Sequence, residues 1–475
     1  MTSKVFVDVA AVRIQHYLSR SKSLRGRRAA SGELAQATSR EVIEEIVKPL
    51  AEINKDAGDV DSVVSLVFDD PGEGVRADWI NRVEELVLAH LRKRLPAVEL
   101  QSLSGVGDTY LEAYASQIGP AKRDGRVRRD LPPPAEFPLA QPCRACRVDP
   151  AVGHREVNGK STALCLDCVM RNVSQSEAIR DEASPLGRLA RHARRQPPDG
   201  FDDLVLLSDV PANRTQLATV AADGNAFGAF FTALARHGKD DEKEQISTSL
   251  SSAVFQALTA ATDAVLVALP SHSLPVVPHV IGGDDVVVTL PADQAWRFTT
   301  EFLSRFDRAI KESVGPVVEK LAMRRRAAGD MSPVVMPSVS AGIVFAHYAQ
   351  PFGLVMEAAE RQLKQAKRGR KGARAAISWL DVTTDGYEHP GRSPVDLATL
   401  REDDVPSAAA RGLDRLSGTT SSHRAQLVRA LRTADQTIAA SVALRNGTWE
   451  QVRPFIGDNA EISLDQALSI VRWWR

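Results

Sequence analysis

The alternation of apolar and polar positions predicts two successive runs of the same kinds of element. In the second run, the periodicities predict strand 216–221, helices 226–237 and 246–268, hairpin 276–290, helix 292–314, strand 339–346, helix 353–366 and strand 375–380. This β-α-α-β-β-α-β order is typical of a ferredoxin-like sheet with helices. The first run lies within the first ~115 residues of the chain and has a similar order of elements. We therefore interpret the two runs as a weak internal duplication.

The hairpin of the second run carries the most informative motif. An apolar strand enters Gly282–Gly283–Asp284–Asp285 and an apolar strand leaves it. This pattern predicts a β-hairpin with acidic residues at its tip. The glycines allow a nucleotide to approach the main chain, and adjacent carboxylates are ligands for divalent ions that carry phosphates. The combination is what a palm-type nucleotidyltransferase needs, although a solvated acidic turn would look the same in isolation.

A third carboxylate precedes this hairpin in the chain. Asp223 lies in Ala221–Gly228, where one predicted strand ends and a helix begins. In a palm sheet this strand lies beside the central hairpin, so we expect Asp223 to face Asp284 and Asp285. Three carboxylates would bind two Mg²⁺ or Mn²⁺ ions, which can activate a 3′-hydroxyl and neutralise departing pyrophosphate.

Further nucleotide-binding residues are predicted around these acids. Lys364 and Lys367 lie three residues apart on one helix face, and Lys367 is the candidate contact to phosphate. Their basic segment comprises Arg361, Lys364, Lys367, Arg368, Arg370, Lys371 and Arg374. The other candidates are small or polar residues of the predicted pocket, namely Gly224, Asn225, Gly228, Gly282, Gly283 and Ser340. Asn225 alone would also fit a helix cap.

All four cysteines fall into two pairs with metal-binding spacing. Cys143 and Cys146 form one pair, Cys165 and Cys168 form the other, and 18 residues separate the pairs. This spacing predicts a structural Zn²⁺ ribbon, in which four thiolates close the coordination sphere. Disulfides are the alternative, and a reducing cytoplasm disfavours them.

The first run contains acids at similar places, but we expect no catalysis there. Asp8 holds the position in its strand that Asp223 holds later, while Phe68–Pro71 resembles a degraded hairpin without paired glycines. Because Pro71 would interrupt strand pairing, Asp69 and Asp70 are expected to lie in a solvated turn.

These patterns predict an α+β protein of four domains. A basic connector at Lys122–Arg129, the prolines Pro132–Pro134 and an Arg- and Pro-rich linker from Pro185 to Gly200 mark the boundaries. The expected domains are a degenerate first palm domain at 1–118, a zinc ribbon and linker at 119–200, a catalytic palm domain with the GGDD hairpin at 201–382, and a helical domain at 383–475.

Charge and hydropathy exclude some classes of protein. The 475 residues include 60 basic and 60 acidic side chains, and this balance argues against a nucleic-acid coat protein. Asp8 interrupts any apolar signal sequence, and no run approaches the ~20 apolar residues that cross a bilayer. We therefore expect a cytoplasmic protein with no membrane partner.

The motifs together resemble a known family. The hairpin, the segment Ala222–Gly228, the four-cysteine ribbon and the segment Ser338–Lys367 are similar to the large polymerase-cyclase subunit of type III CRISPR effector complexes. The opening residues, from Val7 to Ser31, look like that family's first palm domain. A compact relative that works alone is the other form that this resemblance allows.

The resemblance implies an enzyme that converts ATP into 3′–5′-linked, often cyclic, oligoadenylate signals for antiviral defence. It implies that Asp223, Asp284 and Asp285 hold the metal ions and that Gly282 and Gly283 shape the pocket. Implied partners are guide or target RNA and effector-complex subunits, or a second copy of the chain. The chain departs from the family in lacking an N-terminal His-Asp nuclease motif and in having Asn225 where an acidic residue often occurs.

Two other functions remain open at this stage. One is a catalytically idle scaffold subunit of an RNA-guided complex, which the intact Gly-Gly-Asp-Asp disfavours. The other is a palm cyclase that makes a different cyclic nucleotide, for which the ribbon and the first palm would have no use. The sequence does not select the base, the linkage or the ring size of a product.

Overall fold

The fold is described from a computed structural model of the chain. It describes residues 3–21, 23–57, 62–132, 141–157, 159–175, 184–369, 374–388, 391–402, 405–432, 436–457 and 459–474. Helices and strands are mixed along these ranges, which confirms the predicted α+β class.

The first half of the chain forms a five-stranded antiparallel sheet. Its strands are β1 (Lys4–Val12), β2 (Glu52–Ile53), β3 (Val63–Asp69), β4 (Glu99–Gly107) and β5 (Arg128–Asp130), in the order β2-β3-β1-β4-β5. The helices are α1 (Ile14–Ser19), α2 (Leu24–Ala37), α3 (Arg40–Val47), α4 (Glu73–Arg94), α5 (Tyr110–Ala113) and α6 (Gly119–Asp124), with a π-helical turn at Tyr114–Ile118. Alternate residues of β1, such as Val5 and Val7, are fully buried beneath the helices, as expected for a sheet covered on that face.

A small module and two helices connect the halves. The module contains the hairpin β6 (Gly153–Val157) and β7 (Lys160–Leu164), followed by α7 (Leu166–Gln175). After it come α8 (Pro185–Ala193) and α9 (Phe201–Val205).

The linker expected at Pro185–Gly200 is therefore wrong over its first half. The Ser184 side chain accepts a hydrogen bond from the Gly187 amide at 3.0 Å, and Pro185 occupies the first helical position. Leu186 and Leu189 are buried, so this helix belongs to the core. The connector expected at Lys122–Arg129 likewise contains the end of α6 and the start of β5, while Pro133 and Pro134 lie outside the described residues.

The second half forms a six-stranded sheet. Its strands are β8 (Gln216–Asn225), β9 (Val277–Gly282), β10 (Asp285–Pro291), β11 (Ser338–His347), β12 (Ala376–Asp381) and β13 (Val395–Asp396), in the order β13-β12-β11-β8-β10-β9. The helices are α10 (Phe227–His237), α11 (Asp240–Ala268), α12 (Ala295–Ala327), α13 (Phe352–Gly369) and α14 (Val382–Asp385). Helix α12 extends beyond its predicted end because buried Val317 and Leu321 continue its apolar face past Pro316.

The two sheets share one topology. In each sheet the first strand lies between the third and the fourth, and the second strand pairs with the third. This is the ferredoxin-like order, and it supports the predicted duplication. A shared apolar cluster joins the halves, since Val7 of β1, Leu34 of α2, Val280 of β9 and Phe352 of α13 belong to it.

The last part of the chain is mainly helical. It contains α15 (Leu397–Leu400), the short hairpin β14 (Arg401–Glu402) and β15 (Val405–Pro406), and then α16 (Ala408–Ser417), α17 (Ser421–Leu431), α18 (Gln436–Arg445), α19 (Trp449–Val452) and α20 (Leu464–Val471). Trp473 stacks on Phe345 with ring centroids 5.2 Å apart and donates a hydrogen bond to Asp381 at 2.8 Å. This tryptophan therefore fixes the terminal helices on the second sheet.

One helix does not agree with the expectation that no apolar run is long enough to cross a bilayer. The window Asp241–Ala268 of α11 is long and apolar enough to span a membrane by length and composition alone. Half of the window is buried inside the protein, which is also the behaviour of a core helix. The finding is weak evidence for a membrane.

Candidate active site at the acidic hairpin

The Gly-Gly-Asp-Asp segment forms the predicted tight hairpin. Strand β9 ends at Gly282, β10 begins at Asp285, and these two residues pair across the strands. Gly283 is the first residue of the two-residue turn and has φ of +59°, which favours glycine. The turn places Asp284 at the tip and Asp285 at the first position of the strand.

The sheet brings Asp223 to this hairpin. Strand β8 pairs antiparallel with β10, and the pairing of Ala222 with Val286 sets Asp223 opposite Asp285. The side chain of Asp223 is within hydrogen-bonding reach of both Asp284 and Asp285. A Cβ atom at Gly224 would overlap Asp284 Oδ2 and the Phe227 ring, so glycine permits this close approach.

The two carboxyl groups of the hairpin have raised pKa values. Burial, followed by the charge of Asp223, raises the pKa of Asp284 to about 6. The same two causes, together with the charge of Asp284, raise the pKa of Asp285 to about 8. Carboxylates that repel one another in this way are expected at a divalent-metal site, because a bound cation would relieve the repulsion.

One ammonium group lies among these acids. Lys367, in the last turn of α13, donates a hydrogen bond to Asp223 Oδ2 and another to the Gly224 carbonyl at 2.8 Å. The helix position thus delivers Lys367 to the site, while Lys364 remains exposed and interacts with the charge of Glu360. Arg370 and Lys371 of the same basic segment lie outside the described residues.

Asn225 and Ser340 lie beneath the carboxylates. The Asn225 amide donates to Ser338 Oγ at 2.8 Å and to Ser340 Oγ at 2.9 Å, and all three residues are buried. Asn225 is not the helix cap, since Ala226 holds the N-cap position before Phe227 and no side chain caps α10 there. The Asn225 Oδ1 atom has no partner in the described part of the chain. The three residues hold β8 to β11 directly below Asp223.

Two cavities adjoin the hairpin. One, of about 360 Å³, lies between the hairpin and the first half of the chain and includes Ser31 and His279 in its lining. The other, of about 540 Å³, is lined by Gly282 and Gly283 together with Arg188, Arg191, His192, Ser251, Val254, Phe255 and Ile281. The sequence analysis missed the side chains of α8 here, although their helical spacing within the supposed linker was a usable signal.

The first half contains no second cluster of this kind among its described residues. Asp8 is half-buried and accepts hydrogen bonds from Ser65 Oγ at 2.5 Å and Tyr110 Oη at 2.8 Å, and the loss of solvent around its carboxyl group raises its pKa. Asp70 pairs with Arg76 at 2.5 Å. Phe68–Pro71 is not the degraded hairpin, because Phe68 and Asp69 end β3 and the chain then continues to α4 rather than to a paired strand. The strand that pairs with β3 before it in sequence is β2, and residues 58–61 between the two are outside the described ranges.

The four cysteines meet as the spacing predicted. Their sulfur atoms lie within 4.8 Å of one another, and all four residues are buried. Cys143 and Cys146 precede the β6–β7 hairpin, while Cys165 and Cys168 lie at the start of α7. Within the described ranges no other group of three or more His, Cys, Asp or Glu side chains brings its ligand atoms within 4.8 Å of one another. The carboxylates of Asp223, Asp284 and Asp285 are therefore less tightly gathered than the four thiols, although Asp223 is within reach of each of the other two. The cysteine geometry fits a closed tetrahedral Zn²⁺ site, and it also shows four thiols without a disulfide.

Buried polar contacts dock this module on the first half. Arg171 of α7 donates to the Tyr17 carbonyl at 2.9 Å and pairs with Asp167 at 2.8 Å. Arg20 pairs with Asp149 of the module. The module is thereby fixed beside α2. Helix α2 in turn contacts the second half of the chain, since the Arg27 guanidinium carbon lies 3.6 Å from the centroid of the Phe352 ring at the start of α13.

Comparison with protein families identifies the second sheet. Residues 216–377 match the Cas10/Cmr2 second palm domain. No curated protein sequence matches the chain.

Solved structures extend the likeness to the whole fold. A Csm1–Csm4 cassette in complex with cA4 is 12% identical with a TM-score of 0.58, over 99% of this chain and 69% of that one. The cassette in complex with cA3 is 12% identical with a TM-score of 0.56, and the match covers 99% of this chain and 70% of that one. The apo cassette is 13% identical with a TM-score of 0.55, and the match again covers 99% of this chain and 70% of that one. These identities establish similarity of fold alone.

The sequence match covers the sheet that carries Asp223, Asp284 and Asp285, and the structural match covers nearly every residue. The chain therefore contains a palm domain of the Cas10/Cmr2 type and resembles the large subunit of type III CRISPR effector complexes.

Proposed function

We propose that this protein is an ATP-using nucleotidyltransferase that makes 3′–5′-linked, cyclic oligoadenylate second messengers for antiviral defence. The observation that carries the proposal is the meeting of Asp223, Asp284 and Asp285 on adjacent strands of a Cas10/Cmr2-type palm. Similar cassettes have been solved with one ATP, with pppApA and with cA4, which supports adenylate chemistry for this fold.

The carboxylates are the proposed ligands of two Mg²⁺ or Mn²⁺ ions. Such ions, when bound, would polarise the reacting 3′-hydroxyl and α-phosphate and neutralise the departing pyrophosphate. The chain fits them because Asp284 and Asp285 hold raised pKa values that a bound cation would lower. Asp223 is tied to Lys367 and must exchange that ammonium for a metal ion.

This exchange gives Lys367 its proposed role. Released from Asp223, the ammonium remains within reach of a phosphate bound beside the metal ligands. Gly224, Gly282 and Gly283 let the nucleotide approach the backbone, and Gly228 leaves open space at the first turn of α10. Asn225 and Ser340 act from below by fixing the strand end that carries Asp223.

The remaining domains have proposed supporting roles. Residues 1–118 form a degenerate palm, 119–200 a ribbon that Zn²⁺ would hold closed through its four thiolates, 201–382 the catalytic palm and 383–475 a helical domain. Metal analysis of the purified protein should find about one zinc per chain, in keeping with a Cys₄ site. The proposed partners are effector-complex subunits, RNA or a second copy of the chain. The proposed location is the cytoplasm.

The direct test is product formation. The purified protein is incubated with each NTP and Mg²⁺ or Mn²⁺, and products are identified by mass spectrometry. Cyclic or linear oligoadenylates that vanish in Asp284→Ala/Asp285→Ala would support the proposal. The matched control is Asp69→Ala/Asp70→Ala, an adjacent acidic pair at the end of β3, which should leave the products unchanged.

Other outcomes would replace the proposal. Products from another base would indicate a different palm cyclase. Co-purified RNA without turnover, with any metal and with target RNA added, would indicate a scaffold subunit. Turnover that survives the double alanine substitution would exclude the carboxylates from catalysis.

A further inference from the structure

One lysine of the second half is buried against the first half. Lys243 lies in the first turn of α11, and only 8% of its surface is exposed. Its Nζ atom donates hydrogen bonds to the backbone carbonyls of Asp56 at 3.1 Å and Ala57 at 2.8 Å, in the 3₁₀ turn that follows β2. A lysine is rarely buried unless partners replace the water around its ammonium group. The two carbonyls therefore act as a specific site for this ammonium.

The same site offers the ammonium an aromatic face and a negative charge. The Nζ atom lies 4.5 Å from the centroid of the Tyr110 ring, which is the range of a cation–π contact. Tyr110 donates its hydroxyl proton to Asp8 at 2.8 Å. Loss of solvent raises the pKa of the Asp8 carboxyl group, and the charge of Lys243 partly offsets that rise. We call the carbonyls of Asp56 and Ala57, the Tyr110 ring and the Asp8 carboxylate the cation socket.

Hydrogen bonds within the first half hold the cation socket in shape. The Asn54 side chain donates to Ser65 Oγ at 3.0 Å, and Ser65 donates to Asp8 at 2.5 Å. The Asp56 amide donates to the Asn54 side chain at 3.2 Å, which fixes the turn that carries both carbonyls. These bonds do not involve α11, so the first half provides the socket and the second half provides the cation.

The lysine lies on the element that leads away from the candidate active site. Helix α10 follows the strand end that carries Asp223, and α11 begins after two further residues. Glu242, the neighbour of Lys243, accepts hydrogen bonds from Arg324 of α12 at 2.7 and 2.9 Å. The start of α11 is thus held on one side by the first half and on the other side by the second half.

We propose that the cation socket receives the Lys243 ammonium and thereby fixes the start of α11, and with it the strand end that carries Asp223, against the first half. Lys243 is then a positioning residue that acts through α10 and α11. The aspartate of the first sheet keeps a use in this arrangement, because it faces a cation that comes from the other half. The positioning role rests on the proposed function, whereas the socket follows from the contacts alone.

Chemical rescue in the full-length protein tests the socket. Lys243→Ala removes an ammonium and three methylene groups, which n-propylammonium replaces. Hydrogen exchange followed by mass spectrometry should become at least about tenfold faster in peptides from β3 and α5, because their buried polar groups lose the cation. Saturating n-propylammonium should restore slow exchange in this variant and leave the wild type unchanged.

Two controls separate the charge from the space that it fills. Lys239→Ala removes an exposed ammonium four residues earlier and should exchange as the wild type does, with or without the amine. The uncharged n-propanol has the same carbon chain and should not rescue Lys243→Ala. Equal rescue by the alcohol would overturn the inference in favour of simple cavity filling. Unchanged exchange in Lys243→Ala, or no slowing by the amine, would also overturn it.

A double-mutant cycle gives a second test that does not depend on rescue. Lys243→Met keeps the length of the side chain without its charge, and Asp8→Asn removes the negative charge of the socket. Because both changes remove the same attraction, their combined effect on the denaturant midpoint should be smaller than the sum of the single effects. Strictly additive effects would exclude Asp8 from the socket.

Nucleotide turnover tests the positioning role. Lys243→Ala should lower oligoadenylate synthesis by at least about tenfold, and n-propylammonium should restore it. Unchanged turnover in a variant whose exchange is accelerated would overturn this role. The exchange experiments need no nucleotide, so the socket and the proposed function can fail separately.

Discussion

The two sheets have the same strand order but use their first-strand aspartate in opposite ways. In the first sheet, Asp8 is half-buried and satisfied by the hydroxyl groups of Ser65 and Tyr110. In the second sheet, Asp223 lies beside two further carboxylates and one ammonium group. The fold supplies the same place twice, and the neighbours decide whether a carboxylate there is a structural acceptor or a candidate metal ligand.

The difference begins in the third strand of each sheet. Strand β10 starts with Asp285 directly after a glycine turn, so its acids face the end of β8. Strand β3 places Ser65 opposite Asp8, and the α5 helix adds Tyr110 from above. A hydroxyl donor satisfies a buried carboxylate, whereas a second carboxylate leaves it needing a cation.

The largest expected difference between the two sheets is in how much nucleotide turnover falls when the first-strand aspartate is replaced. Asp223→Asn removes a proposed metal ligand and is expected to lower oligoadenylate synthesis by at least about a hundredfold. Asp8→Asn makes the same change at the equivalent strand and should leave turnover within about threefold. Mass spectrometry of the products measures both, and equal losses would show that the first sheet takes part in catalysis.

A smaller loss is expected when the Asp223 loop is displaced. Gly224→Ala places a methyl group against Asp284 and Phe227, which must shift the carboxylates by a fraction of an ångström or more. We expect turnover to fall by about ten- to a hundredfold without loss of the fold. Gly74→Ala, at a glycine of the first half with open space around it, is the matched control. Wild-type rates in Gly224→Ala would contradict the tight approach.

Tyr110 tests the structural role of Asp8. Tyr110→Phe deletes one of the two hydroxyl donors to the half-buried Asp8 carboxylate, and this should cost about 1–3 kcal/mol in the free energy of unfolding. Denaturant unfolding followed by circular dichroism measures the loss. Nucleotide turnover of the folded variant should not change, and a variant as stable as the wild type would show that Asp8 does not depend on this bond.

The Asp8 carboxyl also predicts how stability changes with pH. Burial raises its folded-state pKa above the ordinary value of 3.8, so the folded state retains a proton that the unfolded state releases. Its contribution to stability is complete below that value and is lost as pH rises through the raised pKa. Unfolding measured from pH 4 to pH 8 should therefore show a smaller decline for Asp8→Asn than for the wild type. Parallel profiles would indicate that the carboxyl titrates normally.

The smallest effect is expected for Asp70. Its partly covered side chain pairs with Arg76 at the edge of the protein, where ion pairs contribute little to stability. Asp70→Ala should change neither the unfolding midpoint nor the turnover measurably. A marked loss of turnover would reveal a role for the end of β3 that the contacts do not indicate.

Local chemistry was sufficient to predict much of this protein. Apolar periodicity placed the helices and strands of the second half, since each pattern depends only on near neighbours in sequence. The Gly-Gly turn and the cysteine spacing were equally local, and both occur in the structure as predicted. The helix α8 was missed because arginines and prolines masked the signal of its Ser184 cap and buried leucines.

Long-range contacts decided the chemistry of the site. Lys367 reaches Asp223 across 144 residues of sequence, and Asn225 turns inward to Ser338 and Ser340 rather than capping a helix. The hydrogen bond from Tyr110 to Asp8 has the same long-range origin. The sequence by itself determined which elements form and which acids lie at strand ends, because turn and strand preferences are local. Only the tertiary structure decided which acids meet, which cation accompanies them and which acid is satisfied by hydroxyl groups, because those outcomes depend on how distant segments pack.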